Sequence, residues 1–335
     1  MLKNKSFLFS ASIIILLLFV ISDILIGSVS IPFKEFVNLI LNSQIKPEYK
    51  TIITEFRFPK TITALLAGAA LSVAGLQMQT IFRNPLAGPY VLGISSGASL
   101  GVAVLLLSPL PFILSGTAGI SWITSISAWI GASLVLFLIF IVSIRVKDVM
   151  TILIIGVLFG SAVSAFVSIL QYFGEQSQVK TFIVWTMGSL SGITNDQLKI
   201  LIPSIIIGII ISIFSVRKLN ILLLGENYAK SSGLNLFVTR ILIFSSTGIL
   251  AGSITAFCGP IGFVGIIVPH IARMIFKTAD HKILIPASAI IGATLVLISD
   301  IISQLPTYSG TLPINSVTAI LGIPIVIFII IKNKI

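Results

Sequence analysis

The sequence predicts an all-α, polytopic membrane protein of about ten spans with both termini on the inner side. Three observations predict it. Hydrophobic residues fill 56% of the 335 positions and charged residues only 9%, with a mean hydropathy of +1.15. The apolar residues form continuous runs near the ~20 residues that cross a bilayer as helix, not the alternation of a barrel strand. The charge is sorted by side, as the positive-inside rule requires.

The runs lie at roughly 7–29, 58–82, 90–107, 120–143, 151–173, 198–216, 237–257, 261–276, 283–302 and 313–331. With an inner N-terminus, the inner side holds 14 basic residues against three acids, and the outer side seven of each. The whole net charge of +11 therefore sits on one face. It is a topology signal, not a nucleic-acid footprint.

The first run has Lys3 and Lys5 ahead of it and small residues at Ser28, Val29 and Ser30, as a cleaved signal would. Its length favours a retained helix. A long polar outer loop is expected from Ser30 to Phe56. In the second span Ala64, Gly68 and Ser72 share one face, which suits close helix packing in lipid; Gly131, Gly156, Gly160, Gly248, Gly252 and Gly292 read the same way. The inner turn NPLAGP (Asn84 to Pro89) and the outer segment WTMGSLSG (Trp185 to Gly192) stand out, the latter as an irregular or half-helical interfacial piece. The chain reads as one domain, 1–335. Small-residue spans followed by Gly-Pro at Gly88-Pro89 and Gly259-Pro260 suggest a weak inverted repeat, about 58–173 and 237–331.

The most telling inner feature is the polar island from Arg217 to Arg240. Glu226 to Ser232 is expected to form a short helix with Gly233 as its stop. Such a knob suits the cleft of a soluble partner, or else lies in the headgroups.

The exclusions are as useful. No Gly-Lys pair exists, so the usual ATP phosphate cradle is missing. No span holds a carboxylate pair, and nothing reads as HExxH or a Ser-His-Asp nucleophile. The single Cys258 and two histidines, His270 and His281, support neither a disulfide nor a metal site, and no cofactor is expected. Asp23 and Asp300 fall near outer span ends and read as wet interfacial residues, and His270 as locally bonded. Arg57 and Lys60 begin the second span on one helical side, as interfacial anchors or as contacts for an acidic partner.

Several segments together resemble the FecCD-type permeases, the membrane subunits of ABC importers for ferric siderophores, haem and cobalamin. They are RFPKTITALLAGAALSVAGLQMQTIFRNPLAGPYVLGISSGASLG (Arg57 to Gly101), WTMGSLSG, GENYAKSSGLNL (Gly225 to Leu236), GPIGFVGIIVPHIAR (Gly259 to Arg273) and TAILGIPIVIFIIIK (Thr318 to Lys332). The resemblance implies a type II ABC importer permease in a bacterial inner or plasma membrane. It implies a second permease subunit, two ATPase subunits below and a solute-binding protein above. It makes Gly225, Glu226, Ala229, Ser232, Gly233 and Leu234 the ATPase-coupling segment, and Arg57 and Lys60 the cations offered to glutamates of the binding protein. The family usually has arginine at both; Lys60 keeps the charge without the bidentate fork, and Gln304 stands where some members have a further arginine. The fifth and tenth spans would flank the path, with Val149 and Met150 near the cytoplasmic gate. An iron–siderophore complex is the expected cargo. The rivals are an ion-coupled secondary transporter using Asp23, Asp300 or His270, and a lipid-acting intramembrane enzyme.

Overall fold

The computed structural model describes residues 2–27, 29–41, 44–108, 117–146, 148–305 and 311–332. Ser28 of the cleavage motif and the inner cations Lys147 and Lys334 lie outside the described residues. Among those described, every regular element is helical. Helix α1 (Leu2–Leu25) is followed by α2 (Phe33–Ile40) and α3 (Pro47–Thr51), where a long polar loop was expected. The α3 helix runs through a π-helical turn, Ile52–Arg57, straight into α4 (Phe58–Ile81). Then come α5 (Ile94–Leu107), α6 (Thr117–Arg145), α7 (Val149–Phe173), the outer α8 (Gln176–Thr186) and α9 (Asn195–Phe214). Two short inner helices, α10 (Val216–Leu222) and α11 (Glu226–Ser231), precede α12 (Leu236–Cys258), α13 (Val264–Phe276), α14 (His281–Gln304) and α15 (Ile314–Lys332). All ten expected spans are present. Among the described residues, seven are long and apolar enough to cross a bilayer; α5, α13 and α15 are the shorter apolar ones.

Helix starts follow from local chemistry. Thr194 and Gln197 form a reciprocal capping box at α9. Asp148 caps α7 through the Thr151 N–H, and Asn235 caps α12 through that of Val238.

The α4 helix is the hub, buried along nearly its whole length and packed against α1, α9, α12, α13 and α14. Its small residues permit this. A Cβ on Gly68 would collide with the Gly292 carbonyl of α14, so the two backbones touch. Deeper in the bundle Gln77 donates to Ser212 of α9 and Ser246 of α12, a polar tie of the kind that joins helices in lipid. Of the two readings of the WTMGSLSG segment, irregular or half-helical, the irregular one holds past Thr186. The α8 helix ends at Thr186, Gly188 turns with φ +74°, and the Ser189 N–H bonds the Cys258 carbonyl at 2.8 Å.

Candidate functional site

The inner island folds into a small helical platform. Gly225 enters α11 with φ +114°, where a side chain would be strained and would also meet Arg83 Nη2 at 2.7 Å. The helix ends one residue earlier than expected, at Ser231, in a Schellman motif. The Gly233 N–H bonds the Lys230 carbonyl at 3.0 Å, the Leu234 N–H bonds the Ala229 carbonyl at 2.9 Å, and Gly233 has φ +79°. Ala229 is fully buried and seats the helix, while Leu224, Tyr228, Ser232 and Gly233 face outward. Glu226 Oε1 meets Arg240 Nη2 of α12 at 2.9 Å, with the Arg240 side chain buried. Arg240 also reaches the Val146 carbonyl at the end of α6.

Sequence reasoning missed the polar framework beneath this platform. Asn220 of α10 donates to Asp280 Oδ1 at 2.7 Å, and its carbonyl oxygen accepts from both the backbone N–H and Nδ1 of His281, at 2.9 and 2.8 Å. His281 Nε2 lies 2.8 Å from Thr80 Oγ1 of α4. Asp280 is held below the usual carboxylate range by the Lys282 backbone N–H and then by the Asn220 amide. The one available signal was an Asp-His pair just ahead of an apolar run, the mark of a helix N-cap. His270, read as locally bonded, instead bonds the Pro85 carbonyl of the NPLAGP turn at 2.9 Å. Val149 is buried and Met150 is exposed at the start of α7. Just ahead, the Asp148 carboxylate is held low by the Thr151 hydroxyl and N–H.

The outer side holds a buried charge cluster. Asp23 and Asp300 are not wet interfacial residues: Asp23 is fully buried and Asp300 is 3% exposed. Between them lies Lys60 Nζ, 2.5 Å from Asp300 Oδ2 and 3.6 Å from Asp23 Oδ1. The Thr61 hydroxyl donates to Asp23 at 2.6 Å, and the Gln304 amide donates to Asp300 at 2.7 Å. Arg57 is likewise turned inward at 6% exposure. Its Nη1 donates to the Ile26 carbonyl and to Gln304 Oε1, and its Nη2 to the Val29 carbonyl. Charges so far from water persist because they are paired. The cluster joins the outer ends of α1, α4 and α14. Among the described residues no group of three or more His, Cys, Asp or Glu is placed to hold a metal.

Comparisons with known proteins bear on both faces. The profile of the FecCD transport family matches residues 14–332. The vitamin B12 import system permease protein BtuC of Klebsiella pneumoniae subsp. pneumoniae is 36% identical over 283 residues, 84% of this chain and 83% of that one. MJ0876 of Methanocaldococcus jannaschii, named as an ABC transporter permease, is 36% identical over 321 residues, 91% and 90% of the two chains. A solved inward-facing transporter described as metal-chelate type superposes with a TM-score of 0.83 at 28% identity, covering 98% of this chain and 99% of the other. PsaBC from Streptococcus pneumoniae shares the fold, with a TM-score of 0.59 at 18% identity over 83% and 92%.

Proposed function

The chain belongs to the FecCD transport family, and from that premise we propose that it forms the translocation path for an iron–siderophore complex. It is a multi-pass ABC importer permease, of a family whose members are transport subunits. The ion-coupled carrier and the lipid-acting enzyme are thereby set aside. In the proposed assembly two ATPase subunits dock from the inner side and a solute-binding protein from the outer side. A second permease subunit completes the path.

The observation that carries the ATPase part is the platform at Gly225–Leu234: a short helix with an exposed face on a buried seat, in a chain that lacks a phosphate-binding loop. Gly225, Glu226, Ala229, Ser232, Gly233 and Leu234 set its shape and are the proposed coupling residues. Val149 and Met150 are proposed for the inner gate, and α7 and α15 for the walls of the path. The mostly exposed apolar length of α7 supports a helix awaiting a neighbour or a path. Arg57 and Lys60 are proposed to meet acidic groups of the binding protein. That role requires exchanging their internal partners, Asp23, Asp300, Gln304 and two backbone carbonyls, for the partner's carboxylates.

The single-domain reading and the inverted repeat are retained as part of the proposal. The alternation of α4 and α5 with 24 and 14 residues, against α12 and α13 with 23 and 13, supports two related halves. Reciprocal packing of α5 on α12 and of α13 on α4 does too.

The cargo proposal leans on the metal-chelate description of the structural neighbour; the B12 name of BtuC makes cobalamin the second reading. The test is affinity purification of the tagged chain from mild detergent, followed by uptake of radiolabelled ferric siderophore or cyanocobalamin in reconstituted vesicles. Co-purification of a Walker-motif ATPase with ATP-dependent siderophore uptake is expected. Loss of uptake and of the ATPase is expected when the Glu226–Gly233 stretch is scrambled. Normal uptake by the scrambled chain would overturn the coupling assignment, and cyanocobalamin uptake alone would overturn the cargo.

A further inference from the structure

The α4 and α14 helices are fastened to each other at three levels. At the inner end, Thr80 Oγ1 of α4 meets His281 Nε2 of α14 at 2.8 Å, with both residues buried. In the middle, Gly68 and Gly292 bring the two backbones into contact. At the outer end, Lys60 of α4 meets Asp300 of α14 at 2.5 Å. Lys60 and Thr80 are 20 residues apart on one helix, about 30 Å at 1.5 Å per residue. Two helices joined at both ends and in the middle cannot slide or splay without breaking buried polar contacts in a site that offers no water in exchange.

The ATPase-docking segment is joined to this pair chiefly through the side chain of Asn220. Asn220 lies on α10, two residues before the end of that helix, and its amide donates to Asp280 and accepts twice from His281. His281 Nδ1 bonds the Asn220 oxygen at 2.8 Å, and the single Thr80 hydroxyl proton lies between the Leu76 carbonyl at 2.9 Å and His281 Nε2 at 2.8 Å. Asn220, His281 and Thr80 therefore form a continuous bridge from α10 to α14 to α4. Leu219 and Leu222 bury the same inner face of α10, so this helix cannot roll independently. Arg83, just past the end of α4, adds a longer contact to the Leu222 carbonyl at 3.4 Å.

We propose that α4 and α14 act as one rigid strut carrying movement of the ATPase-docking segment to the outer face, and that Asn220 and His281 are the positioning residues that join the segment to it. The inference rests on the reading of α11 as the docking helix. It explains why a polar bridge sits at one end of the pair and an ion cluster at the other. Displacement at Asn220 arrives, undiminished by bending, at Lys60 and at Arg57 beside it.

The test uses the complex with its ATPase subunits and binding protein in nanodiscs. Spin labels are placed at two exposed positions, Tyr228→Cys on α11 and Phe56→Cys just before α4, with a third at Tyr172→Cys on α7. Between the nucleotide-free and ATP–vanadate states, the 228–56 distance is expected to stay constant while the 228–172 distance changes. In Asn220→Ala and Thr80→Val the 228–56 distance is expected to vary between states. ATPase stimulation by the binding protein should fall at least tenfold with ATPase co-purification retained, and Thr80→Ser should restore it. Should Asn220→Ala not fold, Thr80→Val and its serine control carry the test. A 228–56 distance that changes in the unmodified complex overturns the strut, as does wild-type stimulation in both Asn220→Ala and Thr80→Val. If Asn220→Ala loses the ATPase, α10 serves docking and the transmission role is refuted. If the unmodified chain recruits no ATPase at all, it is the docking reading that fails.

Discussion

Replacing Lys60 with methionine isolates the outer cluster. The methionine keeps the length of the stem and removes the ammonium that lies 2.5 Å from Asp300 and 3.6 Å from Asp23. Two carboxylates then share a dry site. Removing one partner of a buried ion pair costs about 3–5 kcal/mol, mostly from stranding the other charge. Arg57 remains at the edge of the cluster through Gln304, so the low end of that range is expected. The assay is denaturant unfolding of wild type and variant in one detergent at one neutral pH. A deficit of about 3 kcal/mol is expected. Adding Asp23→Asn and Asp300→Asn should restore most of the loss. A deficit below about 1 kcal/mol, typical of an exposed pair, or no recovery in the triple variant, would refute the picture of a dry, paired cluster.

Four further outcomes are expected. If Arg57 and Lys60 meet the binding protein, Asp300→Asn weakens their internal hold and should tighten docking several-fold, while Arg57→Glu with Lys60→Glu should weaken it; docking unchanged in both, measured by surface binding at physiological salt, would end that assignment. Gly75→Ala places a Cβ against the Gly265 carbonyl where α4 crosses α13 and should cost about 1–3 kcal/mol or more. Gly192→Ala meets nothing within 4 Å and should stay within about 0.5 kcal/mol of wild type in the same unfolding assay. The lowered Asp280 carboxylate stabilises the fold above about pH 4 and loses that contribution as pH falls through its depressed value; the stability gap between wild type and Asp280→Ala should therefore close in acid, and a gap that widens below pH 4 would contradict it.

The spans and their orientation were legible because lipid imposes a one-dimensional rule. A helix that satisfies its own backbone and shows apolar side chains must be written as a continuous run, whatever it later packs against. The inner platform was legible for a similar reason. The Glu226 helix and its Gly233 stop depend on contacts within ten residues, and only the terminal residue moved, from Ser232 to Ser231. The outer region was not. A π-helical turn at Ile52–Arg57 cannot be read from periodicity, and it joins α3 to α4 where a loop was expected.

The pairing of charges was hidden for a deeper reason. Asp23, Lys60 and Asp300 are separated by 37 and 240 positions, and each alone resembles an ordinary interfacial residue. Only the packing of α1, α4 and α14 makes one ion cluster of them and removes the water that would have made them cheap. Asn220, Thr80 and His281 became a bridge in the same way. Sequence determined what each helix is, since local hydrogen bonding and solvent preference act on neighbouring residues. Tertiary structure decided what the polar residues do, since a buried donor or charge takes its meaning from a partner that chain order does not bring near.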